Sequence, residues 1–229
     1  MELLNIQKEG IYVDATVGLG GHAEGVLGRL GPGGVIIGID RDEAALDEAR
    51  KRTDDKRCIL IKARFSEVDK TVRDLGFDGV DGVLFDFGVS MLQMKDHERG
   101  FSFLSDAPLD MRMDRSTGLT AADIVYTYPE TEIRKILWEY GEERHANRIA
   151  RAIVRNRQKT RIETCRGLAQ VVESGLPGRG RLHPATRTFQ ALRIAVNDEL
   201  GEIQKALSAS TGIIKHGGRL VAISYHSIE

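Results

Sequence analysis

The first 90 residues alternate short, continuous apolar runs with segments in which apolar residues recur at helical spacing. Such runs are typical of strands that are buried on both faces of a parallel sheet. Consecutive parallel strands are joined by right-handed crossovers, which are usually helices. The pattern therefore predicts an α/β fold with a doubly wound parallel sheet. The predicted strands are Ile11–Ala15, Val35–Asp40, Cys58–Phe65 and Gly82–Asp86, and the predicted helices are Ala23–Leu30, Glu43–Arg52 and Ser66–Leu75.

A different pattern follows the fourth apolar run and continues for more than 100 residues. An irregular segment, Arg99–Asp114, mixes aromatic, methionine and charged residues, and its glycine and proline oppose a regular element. Helical spacing comes next, and a strand pattern returns only at Gly218–Ser224. We therefore predict a core of residues 1–94 and 196–229, with a mostly helical insertion at residues 95–195. The helices predicted after the break are Ala121–Tyr126, Pro129–Tyr140, Glu142–Gln158, Glu163–Ser174 and Thr188–Ser208.

Composition and cysteine usage are those of an ordinary globular protein in a reducing compartment. Of the 229 residues, 41% are hydrophobic and 29% are charged, as in typical soluble domains. No apolar run approaches the ~20 residues that a membrane-spanning helix needs, and the N-terminal segment lacks the basic start and apolar core of a signal peptide. Cys58 and Cys165 show no metal-ligand spacing and cannot make a disulfide framework. We therefore expect a cytoplasmic protein that binds no metal.

Positive charge is concentrated in one part of the chain. From Arg134 to Arg193 the basic residues exceed the acidic ones by nine, whereas acidic residues exceed basic ones by ten elsewhere. Four arginines at positions i, i+4, i+7 and i+11 form one stripe of a predicted helix, and this favours contact with nucleic-acid phosphates, in particular those of RNA. The alternative is a solvated helix face with pairs to Glu142 or Glu143. The stripe consists of Arg144, Arg148, Arg151 and Arg155.

A glycine loop follows the first predicted strand and opens the first predicted helix. Gly18, Gly20 and Gly21 let a ligand approach the backbone closely. Asp40 ends the second strand, where a carboxylate can accept both hydroxyls of a ribose. This spacing is compatible with a nicotinamide dinucleotide. Asp14, just before the loop, would repel a pyrophosphate but could hold the ammonium group of an amino acid, which favours S-adenosylmethionine.

Six longer motifs carry a resemblance that covers nearly the whole chain. They are DATVGLGGH (Asp14–His22), DFGVS (Asp86–Ser90), RGFSFLSDAPLDMRMD (Arg99–Asp114), YGEERHANRIARAIV (Tyr140–Val154), HPATRTFQALRIAVNDEL (His183–Leu200) and GGRLVAISYHSIE (Gly217–Glu229). Together they resemble the bacterial small-subunit (16S) rRNA cytosine-N4 methyltransferases. The resemblance implies a class I, Rossmann-like methyltransferase that uses S-adenosylmethionine and carries an inserted helical domain for RNA recognition. The implied substrate is the exocyclic N4 of a cytidine in the decoding region of 16S rRNA, within the small ribosomal subunit.

The resemblance also implies which residues contact the cofactor. Asp40 is expected to hold the ribose, and Phe65 to lie against the adenine. Without the resemblance, Phe65 is equally well explained as a core residue at a strand end. The implied cofactor-binding residues are Gly20, Gly21, His22, Asp40, Phe65, Asp86 and Gln93.

The proton acceptor of the reaction is less well defined. A cytosine amine is a poor nucleophile because its lone pair is conjugated with the ring, so transfer needs alignment and a group that takes the proton. Many amino-group methyltransferases have an Asn/Asp-Pro-Pro-aromatic motif after the fourth strand, where this chain has DFGV. Asp86 and Asp110 are the candidate catalytic residues, with Asn197 in support. Asp110 could equally pair with Arg112 or Arg115, and Asn197 could be a plain polar helix residue.

The predicted sheet has five strands where the methyltransferase class has seven, so the last two strands are expected to be missing. Gly218–Ser224 would then be an exposed edge strand, which makes a homodimer possible. Members of the family carry further segments at both ends, so we expect part of a longer protein or a shortened relative. Two alternatives stay open: a nicotinamide-dependent Rossmann oxidoreductase, and a non-catalytic RNA-binding remnant of the family.

Overall fold

The computed structural model describes residues 1–116, 118–176 and 183–228. In chain order the strands are β1 (Ile11–Asp14), β2 (Val35–Asp40), β3 (Cys58–Lys62), β4 (Val80–Asp86) and β5 (Ile214–Ile223). The helices are α1 (Gly21–Leu27), α2 (Glu43–Arg52), α3 (Val68–Asp74), α4 (Met91–Lys95), α5 (Ala121–Thr127), α6 (Glu130–Gly141), α7 (Ala146–Arg157), α8 (Cys165–Ser174), α9 (Thr186–Asn197) and α10 (Glu199–Thr211). Over the described ranges, no helix has the length and apolar character that a membrane span requires.

The chain divides into two compact units, Met1–Ser90 with Glu199–Glu229, and Met91–Asp198. The first unit is built on a sheet whose described strands have the order β3-β2-β1-β4-β5, and each neighbouring pair is parallel. This is the doubly wound, Rossmann-like α/β architecture that the apolar runs predict. In the described part of the chain β5 lies at one edge of the sheet, as predicted.

Successive residues of the inner strands point to opposite faces of the sheet, and helices cover both faces. Tyr12 of β1 and Leu84 of β4 belong to the apolar cluster that includes residues of α1 and α2. Their neighbours Val13 and Phe85 belong to a second cluster with residues of α3 and α10. Burial on both faces explains why these strands are continuously apolar in sequence.

Helix α2 has the predicted bounds, and a capping residue fixes its N-terminus. The helix covers Glu43–Arg52, and the Asp42 carboxylate accepts a hydrogen bond from the Ala44 backbone N–H at 3.2 Å. An N-cap aspartate satisfies one of the backbone donors that the first helical turn leaves unpaired. The boundary is therefore fixed by local chemistry that the sequence displays.

The second unit is helical, and its irregular segment contributes to its core. Phe101, Leu109, Met111 and Met113 are each less than 9% exposed, so these four apolar side chains of the segment Arg99–Asp114 pack inside this unit. The burial of Phe101 shows that its ring is a packing group of this unit. Phe103 stacks on His183, with ring centroids 4.2 Å apart.

Both cysteine thiols are in environments that suppress their reactivity. Cys165 is buried, and its burial raises the pKa of the thiol to about 12. Burial also raises the pKa of Cys58, whose Sγ lies 3.3 Å from the Thr53 hydroxyl oxygen. Thiolates are the reactive form of cysteine, so these residues act as packing groups.

The single helix predicted at Thr188–Ser208 is wrong, because α9 and α10 are separate helices. Asp198 lies between them in a left-handed conformation with φ 49°. A short polar side chain tolerates this conformation, which ends a right-handed helix. The apolar spacing continues across Asp198, so periodicity alone conceals the break.

The start of α7 also differs from the prediction of Glu142–Gln158. Glu142 is left-handed, with φ 47°, and ends α6. The carboxylate of the buried Glu143 accepts a hydrogen bond from the His145 backbone N–H at 2.8 Å, and α7 begins only at Ala146. Arg144 therefore lies in the turn before α7 and does not share its stripe.

Candidate active site

Three carboxylates lie at the carboxyl ends of three adjacent strands. Asp14 ends β1, Asp40 ends β2 and Asp86 ends β4. In the sheet register, Asp14 is level with Gly38 of β2 and Leu84 of β4. The two flanking aspartates therefore extend two residues beyond Asp14, or roughly 6–7 Å along the strands. Asp14 forms the floor of this end of the sheet, and it is fully buried.

The glycine loop between β1 and α1 has the backbone conformations that only glycine adopts easily. Gly18 has φ +49° and Gly20, the N-cap of α1, has φ +78°. A Cβ at Gly20 would lie 3.3 Å from Ala49 Cα and from Thr53 Cγ2, which is a tight fit against α2 and the residue that follows it. Conformation and packing both demand glycine there.

Asp40 orders the loop as well as facing the site. Its Oδ2 accepts a hydrogen bond from the Gly18 backbone N–H at 2.9 Å, and its Oδ1 accepts one from Asp42 N–H at 2.9 Å. Burial raises the pKa of this carboxyl, and the two backbone donors oppose that effect. A carboxylate oxygen has a second lone pair, so both oxygens can still accept from ribose hydroxyls. The sequence pattern predicts the ribose role and misses the loop-ordering role.

Asp14 has one carboxylate oxygen that lacks a donor. Its Oδ1 accepts a hydrogen bond from Thr16 N–H at 3.3 Å, whereas Oδ2 is buried and has no hydrogen-bond partner among the described residues. Burial, with further contributions from Asp40 and Asp86, raises the pKa of Asp14 to about 7. An orphaned buried acceptor is costly, and a cationic ligand group would satisfy it.

Asp86 is held by two neighbours at the end of β4. Its backbone N–H donates to the Thr16 hydroxyl at 2.7 Å, and its Oδ2 lies 3.3 Å from His22 Nε2. Its Oδ1 is buried without a hydrogen-bond partner in the described part of the chain. Sequence reasoning missed Thr16, although its place directly after Asp14 and before the glycine loop was a usable signal.

The aromatic candidate and the glutamine candidate fall in different units. Phe65 follows β3, is half-buried, and its ring contacts Phe85 and Phe87 at centroid distances of 6.1 and 6.0 Å. It can therefore present one ring edge or face to a ligand while it packs on the sheet. Gln93 is buried in α4 of the second unit, and its contact with the cofactor stays a prediction.

Asp110 is engaged by arginines. Its two carboxylate oxygens accept from Arg112 Nε at 2.7 Å and Nη2 at 2.9 Å, and Arg115 Nε lies 3.7 Å away. Burial alone would raise the pKa of Asp110, but the hydrogen bonds from Arg112 lower it below its ordinary value. A carboxylate held in this way is a weak proton acceptor, so its catalytic role stays a prediction and the ion-pair alternative describes the contacts seen.

Asn197 anchors the irregular segment. It is 6% exposed, its Oδ1 accepts from Met113 N–H at 2.9 Å, and its Nδ2 donates to the carbonyls of Met111 and Arg193 at 2.8 Å each. Met111 is fully buried with a left-handed φ of 62°, a conformation that needs external support. Asn197 supplies that support, and its catalytic role stays a prediction.

We expect Asn197→Ala to lower the free energy of unfolding by roughly 2–4 kcal/mol, because it leaves buried backbone groups without partners. Urea denaturation measures this loss. Gln170→Ala, an exposed position on α8, is the matched control and should change stability by no more than about 0.5 kcal/mol. An Asn197→Ala loss as small as that of the control would contradict the anchoring role.

Comparison with known proteins decides the family. Residues 1–229 match the family model described as the MraW methylase family. The chain belongs to that family. It is 50% identical over 226 residues to "Ribosomal RNA small subunit methyltransferase H" of Geotalea uraniireducens, covering 96% of this chain and 72% of that protein. The protein of the same name from Brevibacillus brevis is 48% identical, with 99% and 74% covered. This MraW methylase is thus a methyltransferase that uses S-adenosylmethionine, and the oxidoreductase alternative has no support.

The arginine stripe of this MraW methylase lines a cavity of about 420 Å³ in the second unit. Three predicted members, Arg148, Arg151 and Arg155, line it from α7 together with Lys159, and Gly175 closes it after α8. Other positions of α7 bury apolar residues, which are Ala146, Ile149, Ala150 and Ile153. Arg151 lies 3.6 Å from Glu130, which is the one ion pair that the described residues make with the stripe.

Some of the other arginines between Arg134 and Arg193 have structural roles in this methylase. Arg157 donates to the Val125 carbonyl at 2.6 Å, Arg187 donates to the Glu142 carbonyl at 3.2 Å, and the Arg161 guanidinium lies over the Tyr126 ring. These arginines stabilise packing between elements of the unit. The number of basic residues in this part of the chain is therefore larger than the number available to bind RNA. Two further arginines of this basic part of the chain lie outside the described residues; they are Arg179 and Arg181.

Proposed function

We propose that this methylase transfers a methyl group from S-adenosylmethionine to the exocyclic N4 of a cytidine in the decoding region of small-subunit (16S) rRNA. The observation that carries the proposal is the strand-end cluster of Asp14, Asp40 and Asp86, which offers two buried acceptor atoms without donors among the described residues. The relatives named above are small-subunit rRNA methyltransferases. The choice of N4 of cytidine comes from the sequence motifs.

The residues present fit S-adenosylmethionine. In this proposal Asp14 Oδ2 accepts from the ammonium group of its amino-acid part, and Asp40 accepts from its ribose hydroxyls; the support is the donor-free Asp14 Oδ2 and the position of Asp40 at the end of β2. The glycine loop lets the backbone approach, and Phe65 offers an aromatic surface for adenine. A pyrophosphate beside Asp14 would meet like charge, so the same cluster disfavours a dinucleotide.

When bound, S-adenosylmethionine supplies an electrophilic methyl group on a sulfonium. The chain must then hold the cytosine amine in line and remove its proton, since the amine lone pair is delocalised in the ring. Asp86 is our choice for this role because its Oδ1 needs a donor and its Oδ2 is oriented by His22. An N–H of the substrate amine would satisfy Oδ1 directly.

RNA binding is assigned to the cavity lined by Arg148, Arg151, Arg155 and Lys159. Three of these cations lie on one side of α7 and Lys159 lies just beyond its end, and in the described part of the chain only Arg151 among them makes an ion pair. Such a row of positive charge attracts the phosphates of a nucleic acid. Binding of this kind weakens steeply with salt, because it releases counterions. The homodimer prediction has no observation in its favour and stays a prediction.

Label transfer to ribosomal subunits tests the proposed function. The wild-type chain should transfer the labelled methyl group of S-adenosylmethionine to small subunits that lack the modification, and nucleoside mass analysis should find N4-methylcytidine. Asp40→Ala should abolish binding of S-adenosylhomocysteine in calorimetry, since it removes the ribose acceptor and the support of Gly18 together. Label on another atom or base would refute the N4 assignment, and cofactor binding without any transfer would favour the non-catalytic remnant.

A further inference from the structure

Trp138 is the single tryptophan of the chain, and its side chain is 62% exposed. It lies on α6, which packs into its unit through the buried residues Ile133, Ile136 and Leu137. Trp138 is therefore not needed for the packing face of the helix. No aromatic ring or guanidinium of the described residues lies against the indole. A large amphipathic ring left in water is typical of a recognition surface.

The indole lines a cavity of about 360 Å³ whose lining includes three cations and two carboxylates. Arg134 and Lys135 precede Trp138 by four and three residues, so they lie on the same side of α6. Arg144 lines the cavity from the turn before α7. All three are exposed and have no ion-pair partner within 4.0 Å among the described residues. Glu132 also lines the cavity.

The chemistry of this cavity matches one kind of occupant. Every nucleobase has a π-face that stacks on an indole, whatever the sequence, and the adjoining phosphates attract unpaired cations. Glu139 and Asn147 complete the rim, and they add polar groups that suit a base edge better than an apolar protein segment. In a duplex the base faces are already covered, so the stacking partner must be unpaired.

We propose that Trp138 is a stacking platform for an unpaired nucleotide of the RNA substrate, with Arg134, Lys135 and Arg144 on the neighbouring phosphates. This inference rests on the proposed function, and it extends the RNA surface beyond the stripe of α7. Arg144 precedes α7 and Lys159 follows it, and the 12 residues of α7 between them span roughly 18 Å at the rise of an α-helix. Trp138 and the arginine-lined cavity thus mark two ends of one basic path that follows α7 within the second unit.

Intrinsic fluorescence reads out this site directly, because all tryptophan emission comes from Trp138. A single-stranded RNA oligonucleotide should quench the emission in a saturable manner, and the matched duplex at equal phosphate concentration should quench it much less. Anisotropy of end-labelled RNA confirms that both RNAs are bound. Binding of the single strand without quenching would overturn the platform.

Substitutions separate stacking from the rest of the surface. Trp138→Ala should weaken single-stranded RNA binding, and raise KM for small subunits, roughly tenfold, whereas Trp138→Phe should retain most of the affinity. Leu104→Ala, at another exposed apolar position of the same unit (66% exposed), is the control and should leave both values unchanged. Binding of S-adenosylhomocysteine should be equal in all variants.

The failure of this inference is distinguishable from failure of the proposed function. A wild-type chain that transfers label normally, with Trp138→Ala indistinguishable from Leu104→Ala, would refute the platform alone. Loss of binding to a ribosomal protein in Trp138→Ala, with RNA affinity unchanged, would also refute it and would identify a protein-docking surface. A wild-type chain that transfers no label would refute the proposed function, and fluorescence quenching would still test the platform.

Discussion

Asp14→Asn is expected to stabilise the free methylase at pH 8 and at the same time to weaken its binding of S-adenosylmethionine. Burial raises the pKa of Asp14 from 3.8 to about 7, so the ionised carboxylate costs about 4 kcal/mol above pH 7. Asparagine removes the charge but leaves an amide without an acceptor at the position of Oδ2, which reduces the gain to roughly 1–3 kcal/mol. Urea denaturation at pH 8 measures it.

The pH dependence of the wild type gives a second test of the same residue. Between about pH 4 and pH 7 the folded chain binds more protons at Asp14 than the unfolded chain, so this group makes stability fall as pH rises. Asp40, Asp86 and Cys58 carry the titratable groups that act on it. The fall should be smaller in Asp14→Asn, which lacks the titrating group.

The affinity for the cofactor should rise with pH where this group makes the stability fall. An ammonium group needs the ionised form of Asp14, so the affinity of the wild type for S-adenosylmethionine should increase between about pH 5 and pH 7, below the range in which an α-amino group loses its own proton. In Asp14→Asn calorimetry should find at least tenfold weaker binding and no such increase. Asp47→Asn, an exposed carboxylate of α2, is the control and should alter neither property. A variant that is both less stable and normal in binding would exclude the proposed role of Asp14.

The strands of the sheet could be predicted because each one is marked by residues that are adjacent in the sequence. β2 and β4 are apolar on successive positions, and an aspartate ends each of them, so the strand ends and the carboxylates that mark them are visible together in the sequence. The crossover rule gives the hand of the connections, whereas the strand order is seen only in the structure. This is why the cluster of Asp14, Asp40 and Asp86 could be anticipated as a site, although its depth could not.

The errors arose where one residue overrides a continuous pattern. Asp198 and Glu142 adopt left-handed conformations, and in each case the helical periodicity of the sequence continues past them. The sequence also cannot show that each carboxylate oxygen of Asp40 accepts a hydrogen bond from a backbone N–H. Nor can it show that the Asn197 amide makes hydrogen bonds to three backbone groups of its own unit. Hydrogen bonds between residues distant in sequence decide these roles, and no short motif encodes them.

Asp86→Asn should reduce the rate of methyl transfer by a factor on the order of 10²–10⁴, the range typical of a lost general base. Asparagine has nearly the same shape and can still accept one hydrogen bond, but it cannot take a proton from the amine. The rate should be measured on small subunits at saturating S-adenosylmethionine, with the cofactor Kd measured separately. A normal rate at saturation with a greatly increased Kd would show that Asp86 only binds the cofactor.

Asp110→Asn should be compared with Asp86→Asn, because the two variants make the same chemical change at the two candidate proton acceptors. Arg112 already donates to both oxygens of Asp110 and lowers the pKa of that carboxyl, whereas Asp86 Oδ1 is buried without a donor among the described residues. We therefore expect Asp110→Asn to lower stability, by weakening the pair with Arg112, and to slow transfer far less than Asp86→Asn does. If Asp110→Asn instead stopped transfer in a fully folded protein while Asp86→Asn did not, the proton acceptor would be Asp110, and the strand-end cluster would serve the cofactor alone.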